Sequence, residues 1–310
     1  MPDPSEALTV SAPATSANLG PGFDTLGLAL DLGNAVVIRR RPGPLRVLVH
    51  GEGAGELPED ASNLVCRALA SGLGDLDGLE VECRNRIPLA RGMGSSAAAA
   101  CAGLVAANAL GGLRWSPDEL LARAAELDGH ADNAAACLTG GLVAVAPGPR
   151  AVPVPVRDGL GFVLVIPQAR TSTETSRRAL PAEVPLAETA ETLQRAIGLV
   201  LALGEGRFED LGELLHDTLH EPHRAPLVPG LAGLRALAGR DGCLGVTISG
   251  SGPATLLWCR ADDAEAVAAA AERALAREGV PARVRVTRAS PAGVRARWTG
   301  DSGRLAAAIG

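Results

Sequence analysis

The sequence predicts an α+β protein built from two domains. Strand-like and helix-like segments alternate irregularly along its 310 residues, unlike the regular alternation of a doubly wound fold, and no internal repeat is present. A stretch interrupted by prolines, from Pro147 to Pro155, divides this pattern near the middle of the chain. We therefore expect one domain over residues 1–155 and a second over 156–310, each long enough to form a core.

Apolar periodicity and turn residues predict the elements of the first domain. Strands are expected over 8–14, 34–41, 45–50, 79–84 and 141–145. Pro42-Gly43-Pro44 predicts a turn that joins the second and third of these strands as a hairpin. A helix is expected over 63–73 with Asp60 or Ser62 as its cap, and another begins at the capping box Ser116-Pro117-Asp118-Glu119.

The second domain is predicted to be a smaller α+β sandwich. The run over 162–166 is apolar throughout, which is typical of a buried strand. Strands are expected over 162–166, 245–249, 255–259 and 283–287, and helices over 188–203, 208–219, 231–238 and 262–278.

The composition excludes several functions. The chain is 47% hydrophobic and 21% charged with a net charge of −6, whereas nucleic-acid binders carry an excess of basic residues. It contains no lysine, so all 29 basic residues are arginine, and it contains no tyrosine. The absence of lysine excludes Schiff-base chemistry and a P-loop lysine. Any phosphate must therefore be neutralised by arginine, backbone amides, helix termini or Mg²⁺.

Six cysteines are scattered along the chain without a Cys-x-x-Cys motif, and several lie in apolar runs. This pattern predicts buried thiols in a reducing compartment. The segment Met1–Ser11 lacks the basic and apolar regions of a secretory signal, and no apolar run approaches membrane-spanning length. We expect a cytoplasmic protein with neither nucleic acid nor membrane as a partner.

The most informative stretch runs from Pro88 to Ser96 and continues into an alanine-rich helix. Helix N-termini carry unpaired N–H groups that attract anions, and Gly92 and Gly94 allow the backbone to approach a ligand closely. The hydroxyls of Ser95 and Ser96 can cap the helix, bind a phosphate oxygen or ligate a metal. The stretch predicts a polyphosphate site, and the alternative is a capped helix packed closely on its neighbours.

Four further segments offer polar groups. Asn18 and Asp24 lie in an irregular loop and suit a ligand that carries an amine, although the same residues are also typical of a plain turn. Arg177 and Arg224 lie in polar segments, where each can hold a carboxylate in a bidentate manner or face the solvent. Ser249–Ala254 is either a hairpin turn or a nest of N–H groups for an anion.

The segment from Glu126 to Asn133 places three acids, a histidine and an asparagine around one glycine. One helix ends here and another begins, with Asp132 or Asn133 as an N-cap. A cap alone does not need three carboxylates and an imidazole, so the segment predicts a functional site. His130 and Asp132 point apart in an extended loop, which favours separate roles over a single metal centre.

Taken in order, these motifs resemble the GHMP kinase superfamily, and within it the homoserine kinases. The likeness covers nearly the whole chain, from about Leu8 to the final strand. The matching motifs are Pro13–Gly27, Pro88–Ala97, Gly129–Asn133 with Gly140-Gly141, and Ile248–Ala254. The second motif is shared by many small-molecule kinases, whereas the first and the His-x-Asp-Asn segment narrow the resemblance to homoserine.

The resemblance implies a two-domain GHMP kinase fold, with a left-handed βαβ unit in the N-terminal domain and a ferredoxin-like sandwich in the C-terminal domain. It also implies ATP-dependent, Mg²⁺-assisted phosphorylation of the L-homoserine hydroxyl by direct in-line transfer. Another small alcohol, such as mevalonate or a sugar, is the alternative substrate, and a nucleotide-binding sensor without turnover is a further alternative. The oligomeric state stays open, with a homodimer as one option.

Site residues carry over from the family position by position. On the ATP side, the resemblance implies phosphate contacts along the glycine-rich loop, adenine near Asn63 and Leu64, and Mg²⁺ at Ser96 and Glu126. The loop residues concerned are Pro88, Arg91, Gly92, Gly94, Ser95 and Ser96.

On the substrate side, Asp24 would face the amine of homoserine and the arginines its carboxylate. The residues implied to surround homoserine are Asn18, Asp24, His130, Arg177 and Arg224. Asn133 would orient the attacking hydroxyl, with Asp132 and Thr173 close by, and whether Asp132 acts as a base stays open.

Three positions depart from the family pattern. Ala131 stands in place of a proline, Asp128 where glutamate is common, and Ala254 in place of a threonine. None of them removes a group to which chemistry is assigned. The missing hydroxyl at Ala254 is the change that would loosen the glycine turn.

Overall fold

The computed structural model describes residues 7–299, which fold into two β-sheets with helices packed against them. The strands are β1 (Ala7–Ala17), β2 (Leu26–Arg40), β3 (Arg46–Gly51), β4 (Leu79–Asn85), β5 (Leu142–Ala146), β6 (Arg150–Val154), β7 (Leu160–Pro167), β8 (Cys243–Ile248), β9 (Thr255–Arg260), β10 (Ala282–Thr287) and β11 (Arg295–Trp298). The helices are α1 (Leu64–Leu73), α2 (Ser95–Gly111), α3 (Pro117–Asp128), α4 (Ala131–Thr139), α5 (Thr173–Arg178), α6 (Leu186–Glu205), α7 (Leu211–Leu214), α8 (Glu221–Arg224), α9 (Leu231–Arg235) and α10 (Ala264–Arg277).

The first sheet has the strand order β11-β1-β2-β4-β3, and β5 and β6 extend it from β2. Its strands pair in antiparallel fashion except for β3 and β4, which are parallel and joined through α1. β3, α1 and β4 therefore form a βαβ unit, as the resemblance implies.

The predicted hairpin between the second and third strands is wrong, because β4 rather than β3 lies beside β2. The segment after β2 bonds to the start of β4: the Arg41 N–H donates to the Gly78 carbonyl, and the Gly78 N–H donates to the Gly43 carbonyl. Pro42 and Pro44 have no N–H groups, so the connecting segment lacks donors to close a ladder with β3.

The second sheet is antiparallel and has the strand order β10-β7-β9-β8. Along the chain, its elements follow as strand, helices, strand, strand, helix and strand, which is the ferredoxin-like arrangement. The chain then returns to the first sheet, where β11 pairs with β1. A strand from the C-terminal half thus completes the first sheet. This pairing does not test the predicted division between residues 155 and 156, which stays a prediction.

Helix α2 is enclosed by other elements and packs against α1, α3 and β1. Its buried residues, from Ala97 to Ala107, are mostly alanine and lie on every face, which is typical of a helix surrounded by protein. Small side chains let the neighbouring elements approach closely. The enclosed body of the helix thereby fixes the direction of its N-terminus at Ser95.

Several elements of the second half differ from the predictions. The helix expected over 208–219 is shorter, since α7 ends at Leu214. The Asp217 carboxylate accepts from the N–H groups of His220 and Glu221 at 2.8 and 2.7 Å, and this turn starts α8 instead. The strands β6 and β11 were not predicted, because both are short and lie at edges of the first sheet.

All six cysteines are free and buried, which confirms the prediction of buried thiols. Burial raises the pKa of the Cys66 thiol to about 12 and that of Cys83 to about 11, so both stay protonated at neutral pH. Across residues 7–299, no helix has the length and apolar character that spanning a bilayer requires.

We expect Glu82 of β4 to make the stability of the fold depend on pH. Its carboxylate lies 2.7 Å from Arg84 Nε and 2.8 Å from Arg39 Nη1, and these arginines lower its pKa from 4.5 to about 2. The ionised group therefore stabilises the fold fully above pH 4.5, and this contribution is lost as the pH falls through about 2. Glu82→Gln should lower the free energy of unfolding by about 1 kcal/mol at neutral pH and by less under acidic conditions, as measured by urea denaturation.

Glu272→Gln, at an exposed position of α10, is the matched control and should leave stability nearly unchanged. An equal loss for Glu82→Gln at both pH values would contradict the ionic origin of the effect.

Candidate active site

A cleft of about 250 Å³ lies where the N-termini of α2 and α4 face the turn between β8 and β9. Most of the predicted site residues line it, although they come from distant parts of the chain. They are Asn18, Asp24, Pro88, Arg91, Gly92, Gly94, Ser95, Ser96, His130, Asp132, Asn133, Thr173, Arg177 and Arg224. Asn63, Leu64 and Glu126 do not belong to its lining.

The turn between β8 and β9 holds the glycine-rich loop. Gly92 has a φ of 72°, and a Cβ on it would collide with the Ser249 carbonyl oxygen. The Ser249 hydroxyl donates to the Gly92 carbonyl at 2.7 Å, and the Ala254 N–H donates to the Arg91 carbonyl at 3.1 Å. The turn is therefore more than a hairpin, because it fixes the path of the loop.

The Arg91 side chain braces the loop. Its Nε, Nη1 and Nη2 atoms each donate at 2.8 Å to a backbone carbonyl, those of Pro167, Leu89 and Gln168 respectively. All three guanidinium nitrogens thus have protein partners, and the loop is tied to the end of β7. This geometry favours the backbone of Arg91, rather than its guanidinium, for the phosphate contact.

The N-terminus of α2 faces the cleft without a side-chain cap. Gly94 precedes the helix in the left-handed region, and the first turn carries no acidic residue. The first N–H groups of a helix have no partner within it, and together with the helix dipole they attract anions. A Cβ on Gly94 would collide with the Thr15 hydroxyl, so this approach requires glycine.

Asp128, and not Glu126, is the carboxylate beside Ser96. The Ser96 hydroxyl donates to Asp128 Oδ1, whereas Glu126 is exposed on the same helix. Residues two positions apart on a helix point to different sides, so α3 directs only one of these carboxylates into the cleft. The geometry therefore favours Asp128 over Glu126 as the carboxylate that would accompany Ser96 at a metal ion, and the metal site itself stays a prediction.

Helical spacing is the signal that identifies Asp128 in the sequence. The buried residues of α3 include Leu121 and Ala124, which lie seven and four positions before it. Residues at these spacings share one face of a helix. Asp128 thus continues the inward face of α3, and Glu126 does not.

Ser96 and Asp128 suit Mg²⁺, which prefers oxygen ligands and is usually held by one or two carboxylates together with substrate phosphates. Burial raises the pKa of Asp128 to about 6, Asp132 adds to this effect and His130 opposes it. A nearby cation would therefore stabilise the ionised carboxylate. In the described part of the chain, no group of three or more His, Cys, Asp and Glu side chains is placed to hold a metal ion.

Asn133 and Asp132 form a network at the start of α4. Asn133 Oδ1 accepts from the Thr15 hydroxyl at 2.6 Å. Asp132 Oδ1 accepts from the Asn133 backbone N–H at 2.7 Å and from its Nδ2 at 3.3 Å. Asp132 is buried, and burial raises its pKa. Both side chains are thus held in fixed orientations in the wall of the cleft.

Asp24 and Arg177 form an ion pair across the cleft. Arg177 Nη2 lies 2.7 Å from Asp24 Oδ1, and Arg177 Nε donates to His130 Nε2 at 2.7 Å. Asn18 Oδ1 accepts from the Asp24 N–H at 2.9 Å, and Asn18 Nδ2 donates to the Gly250 carbonyl at 2.8 Å. Asn18, Asp24, Arg177 and His130 therefore lie in one hydrogen-bonded chain.

Arg224 lies beneath this chain and is only 2% exposed. Its Nη1 donates to His220 Nδ1 at 3.0 Å and to the Gly250 carbonyl at 3.3 Å. Its Nε is buried and has no hydrogen-bond partner among residues 7–299. A buried charge with an unused donor is costly unless a group of opposite charge completes it. Arg224 is therefore prepared to bind an anion in the cleft.

Thr173 is the first residue of α5, the short helix that also carries Arg177. Its hydroxyl lies 3.5 Å from that of Ser251, and the Ser176 hydroxyl donates to the Ser251 carbonyl at 2.8 Å. These contacts fasten α5 to the turn between β8 and β9. They keep Thr173 at the rim of the cleft.

Asn63 and Leu64 lie at the start of α1 and away from the cleft lining. Asn63 is the N-cap of this helix in place of the expected Asp60 or Ser62, since its Oδ1 accepts from the Val65 N–H at 3.0 Å. Capping accounts for the asparagine by itself. The adenine contact therefore stays a prediction.

Known families match both halves of the chain. Residues 59–141 match the family described as GHMP kinases N terminal domain, and residues 199–277 match GHMP kinases C terminal. Together, the two matches cover more than half of the chain.

Individual relatives are similar along nearly the whole chain. A homoserine kinase from Moorella thermoacetica is 40% identical over 283 residues, which cover 89% of this chain and 95% of the relative. A homoserine kinase from Streptomyces coelicolor is 42% identical over 275 residues, which cover 86% of this chain and 88% of the relative.

A solved structure agrees with these relatives. The crystal structure of homoserine kinase from Cytophaga hutchinsonii superimposes with a TM-score of 0.86 at 31% identity, over 96% of this chain and 99% of that one. This agreement confirms the two-domain GHMP kinase fold. The chain therefore belongs to the homoserine kinase family of the GHMP kinases.

Proposed function

We propose that the protein transfers the γ-phosphoryl group of ATP to the side-chain hydroxyl of L-homoserine, giving O-phospho-L-homoserine and ADP, a step toward threonine. One observation carries the proposal: Asp24, Arg177 and Arg224 surround a cleft that also receives the uncapped N-terminus of α2. An amino acid brings an ammonium and a carboxylate, and ATP brings phosphates. The ammonium and the carboxylate match the charges of Asp24, Arg177 and Arg224, and the phosphates match the N-terminus of α2.

The ion pair between Asp24 and Arg177 is the contact that an amino acid would replace. The two side chains are 42% and 37% exposed, so the pair contributes little to stability and opens at small cost. The substrate ammonium would then bind Asp24, and its carboxylate would bind Arg177. Arg224, which also lines the cleft, would add a guanidinium N–H to the carboxylate, where burial strengthens a charge-assisted hydrogen bond.

The ATP phosphates would lie along the glycine-rich loop at the N-terminus of α2. The uncapped N–H groups and the absence of an acid in the first turn support this position. Ser96 and Asp128 would hold Mg²⁺, which neutralises phosphate charge when bound. Because the chain has no lysine, backbone amides and the helix dipole supply most of the stabilisation that comes from the protein here.

Asn133, Asp132 and Thr173 would align the attacking hydroxyl. Phosphoryl transfer passes through a loose transition state in most analyses, so alignment contributes more than early deprotonation of the alcohol. Thr15 and the Asn133 backbone fix the two α4 side chains, which supports an aligning role. Burial raises the pKa of Asp132, which makes it a better acceptor for the proton that the hydroxyl releases.

Other small alcohols fit the charges of the cleft less well. Mevalonate has a carboxylate but no amine, and galactose has neither, so Asp24 would lack a cationic partner from either substrate. A sensor that binds nucleotide without turnover would not need Asp128 and Asp132 beside the phosphate loop. These charges favour an amino-acid alcohol.

Location and assembly are proposed on fewer observations. We place the protein in the cytoplasm because six free, buried cysteines suit a reducing compartment. A homodimer stays a prediction, which light scattering on the purified chain would test.

A coupled assay of ADP release tests the proposed function. We expect turnover with ATP and L-homoserine, and a kcat/KM at least about a hundredfold lower with mevalonate or galactose, since neither supplies both charges. Equal activity with mevalonate would contradict the assignment of homoserine. Binding of ATP without turnover on any of the three alcohols would favour a sensor.

Asp128→Asn should reduce kcat by about a hundredfold or more, because it removes the charge that would hold Mg²⁺ against the phosphates. The KM for homoserine should change little, and the Mg²⁺ concentration for half-maximal activity should rise. Glu126→Gln, on the same helix, is the matched control and should behave as the wild type. Loss of activity in Glu126→Gln but not in Asp128→Asn would assign the metal-binding role to Glu126.

Arg224→Gln should raise the KM for homoserine by about tenfold to a hundredfold, since it removes charged hydrogen bonds to the substrate carboxylate. The KM for ATP should stay nearly constant in the same steady-state measurements. Arg178→Gln, an exposed neighbour of Arg177, serves as the control. If ATP affinity collapsed instead, Arg224 would belong to the nucleotide side of the cleft.

A further inference from the structure

Arg224 is held from behind by His220, which is completely buried. His220 Nδ1 lies 3.0 Å from Arg224 Nη1, and His220 Nε2 lies 2.9 Å from the Gly20 carbonyl oxygen. Gly20 belongs to the loop that carries Asn18 and Asp24. One imidazole therefore connects the arginine on the carboxylate side of the cleft to the loop on its amine side.

The two partners determine the protonation state of the His220 ring. A guanidinium only donates hydrogen bonds, so the Nδ1 atom that faces Arg224 has to be an acceptor. A carbonyl oxygen only accepts, so the Nε2 atom that faces Gly20 has to carry the hydrogen. Burial lowers the pKa of His220 to about 4, with Asp217 opposing the shift and Arg224 adding to it, which agrees with a neutral ring.

Further contacts fix the orientation of this ring. Phe23 stacks on it, with ring centroids 5.1 Å apart and 27° between the planes. The guanidinium carbon of Arg224 lies 5.4 Å from the centroid of the same Phe23 ring. Asp217 accepts the His220 backbone N–H at 2.8 Å. The ring is thus held at its face and at its backbone, which leaves it one orientation.

We infer that His220 is a positioning residue that sets the separation between Arg224 and the Asn18–Asp24 loop and thereby selects α-amino acids. The inference rests on the proposed function for the identity of the ligand. In an α-amino acid, one carbon separates the ammonium from the carboxylate. The distance between the groups that bind them therefore decides which substrates fit.

A merely structural histidine would behave differently. If the ring only filled space, its replacement would affect every substrate alike through a general loosening of the fold. The hydrogen bond to Arg224 instead predicts an effect confined to substrates that carry a carboxylate.

The test compares His220→Gln with His220→Asn. The glutamine amide reaches the position of Nε2, so it keeps a donor for Gly20 and loses the acceptor for Arg224. The asparagine oxygen reaches the position of Nδ1 and keeps that acceptor. Each variant is assayed with L-homoserine and with its carboxamide, in which a neutral amide replaces the carboxylate and the ammonium is kept. His223→Gln, at an exposed position of α8, is the matched control.

We expect His220→Gln to raise the KM for L-homoserine by about tenfold or more, because a hydrogen bond to a charged group is lost. The KM for ATP and the kcat/KM for the carboxamide should change by less than about twofold. His220→Asn should also raise the KM for L-homoserine, because it loses the contact with Gly20 and so breaks the same connection. In a background of Arg224→Gln, the effect of His220→Gln on homoserine should disappear.

Equal losses with homoserine and its carboxamide would overturn the inference, as would an unchanged KM for homoserine in either variant. A measurement on the unaltered protein covers the case in which a variant does not fold. Nitrogen NMR near neutral pH should show a neutral His220 with its hydrogen on Nε2, and a hydrogen on Nδ1 would overturn the inference.

Failure of the proposed function would be recognised separately. Absence of turnover by the wild type on homoserine would refute the reaction. Calorimetric binding of L-homoserine to the wild type and to His220→Gln, together with the ring nitrogen signals, would still decide the role of His220: weaker binding to the variant supports it, and equal binding overturns it.

Discussion

The site depends on one contact, the seating of the glycine-rich loop on the turn between β8 and β9. Gly92 approaches Ser249 too closely for a side chain, and the Ser249 hydroxyl bonds to the Gly92 carbonyl. This contact joins the enclosed helix α2 to the second sheet. The N-terminus of α2 is thereby directed toward a cleft whose walls come from both sheets.

A chain without lysine uses its arginines in three distinct ways around this cleft. Arg91 gives all three guanidinium nitrogens to backbone carbonyls and acts as a brace. Arg177 is partly exposed and shares an ion pair that a ligand can replace. Arg224 is buried and retains an unused donor. Burial and the number of protein partners, rather than residue type, decide which guanidinium is available to a substrate.

The sequence predicted which residues line the cleft better than it predicted the order of the strands, for a physical reason. The glycine-rich loop and the His-x-Asp-Asn segment act over a few consecutive residues, so their chemistry is visible locally. Strand pairing is not local, because it depends on contacts across the sheet. The hairpin was predicted from two strands that are neighbours along the chain, whereas β4 is the strand that lies beside β2. Helical spacing alone predicts that Asp128, rather than Glu126, points inward, since the buried face of α3 continues to Asp128. Only the resemblance predicted that Arg224 and Asp24 line the same cleft, because no spacing in the sequence links positions so far apart.

The return of β11 to β1 means that the second sheet is attached to the first by two lengths of chain, one before β7 and one after β10. Residues of both sheets also share one hydrophobic core, which includes Leu8 of β1 and Trp258 of β9. Loss of either sheet would expose that shared core to water, so we expect the two sheets to unfold together.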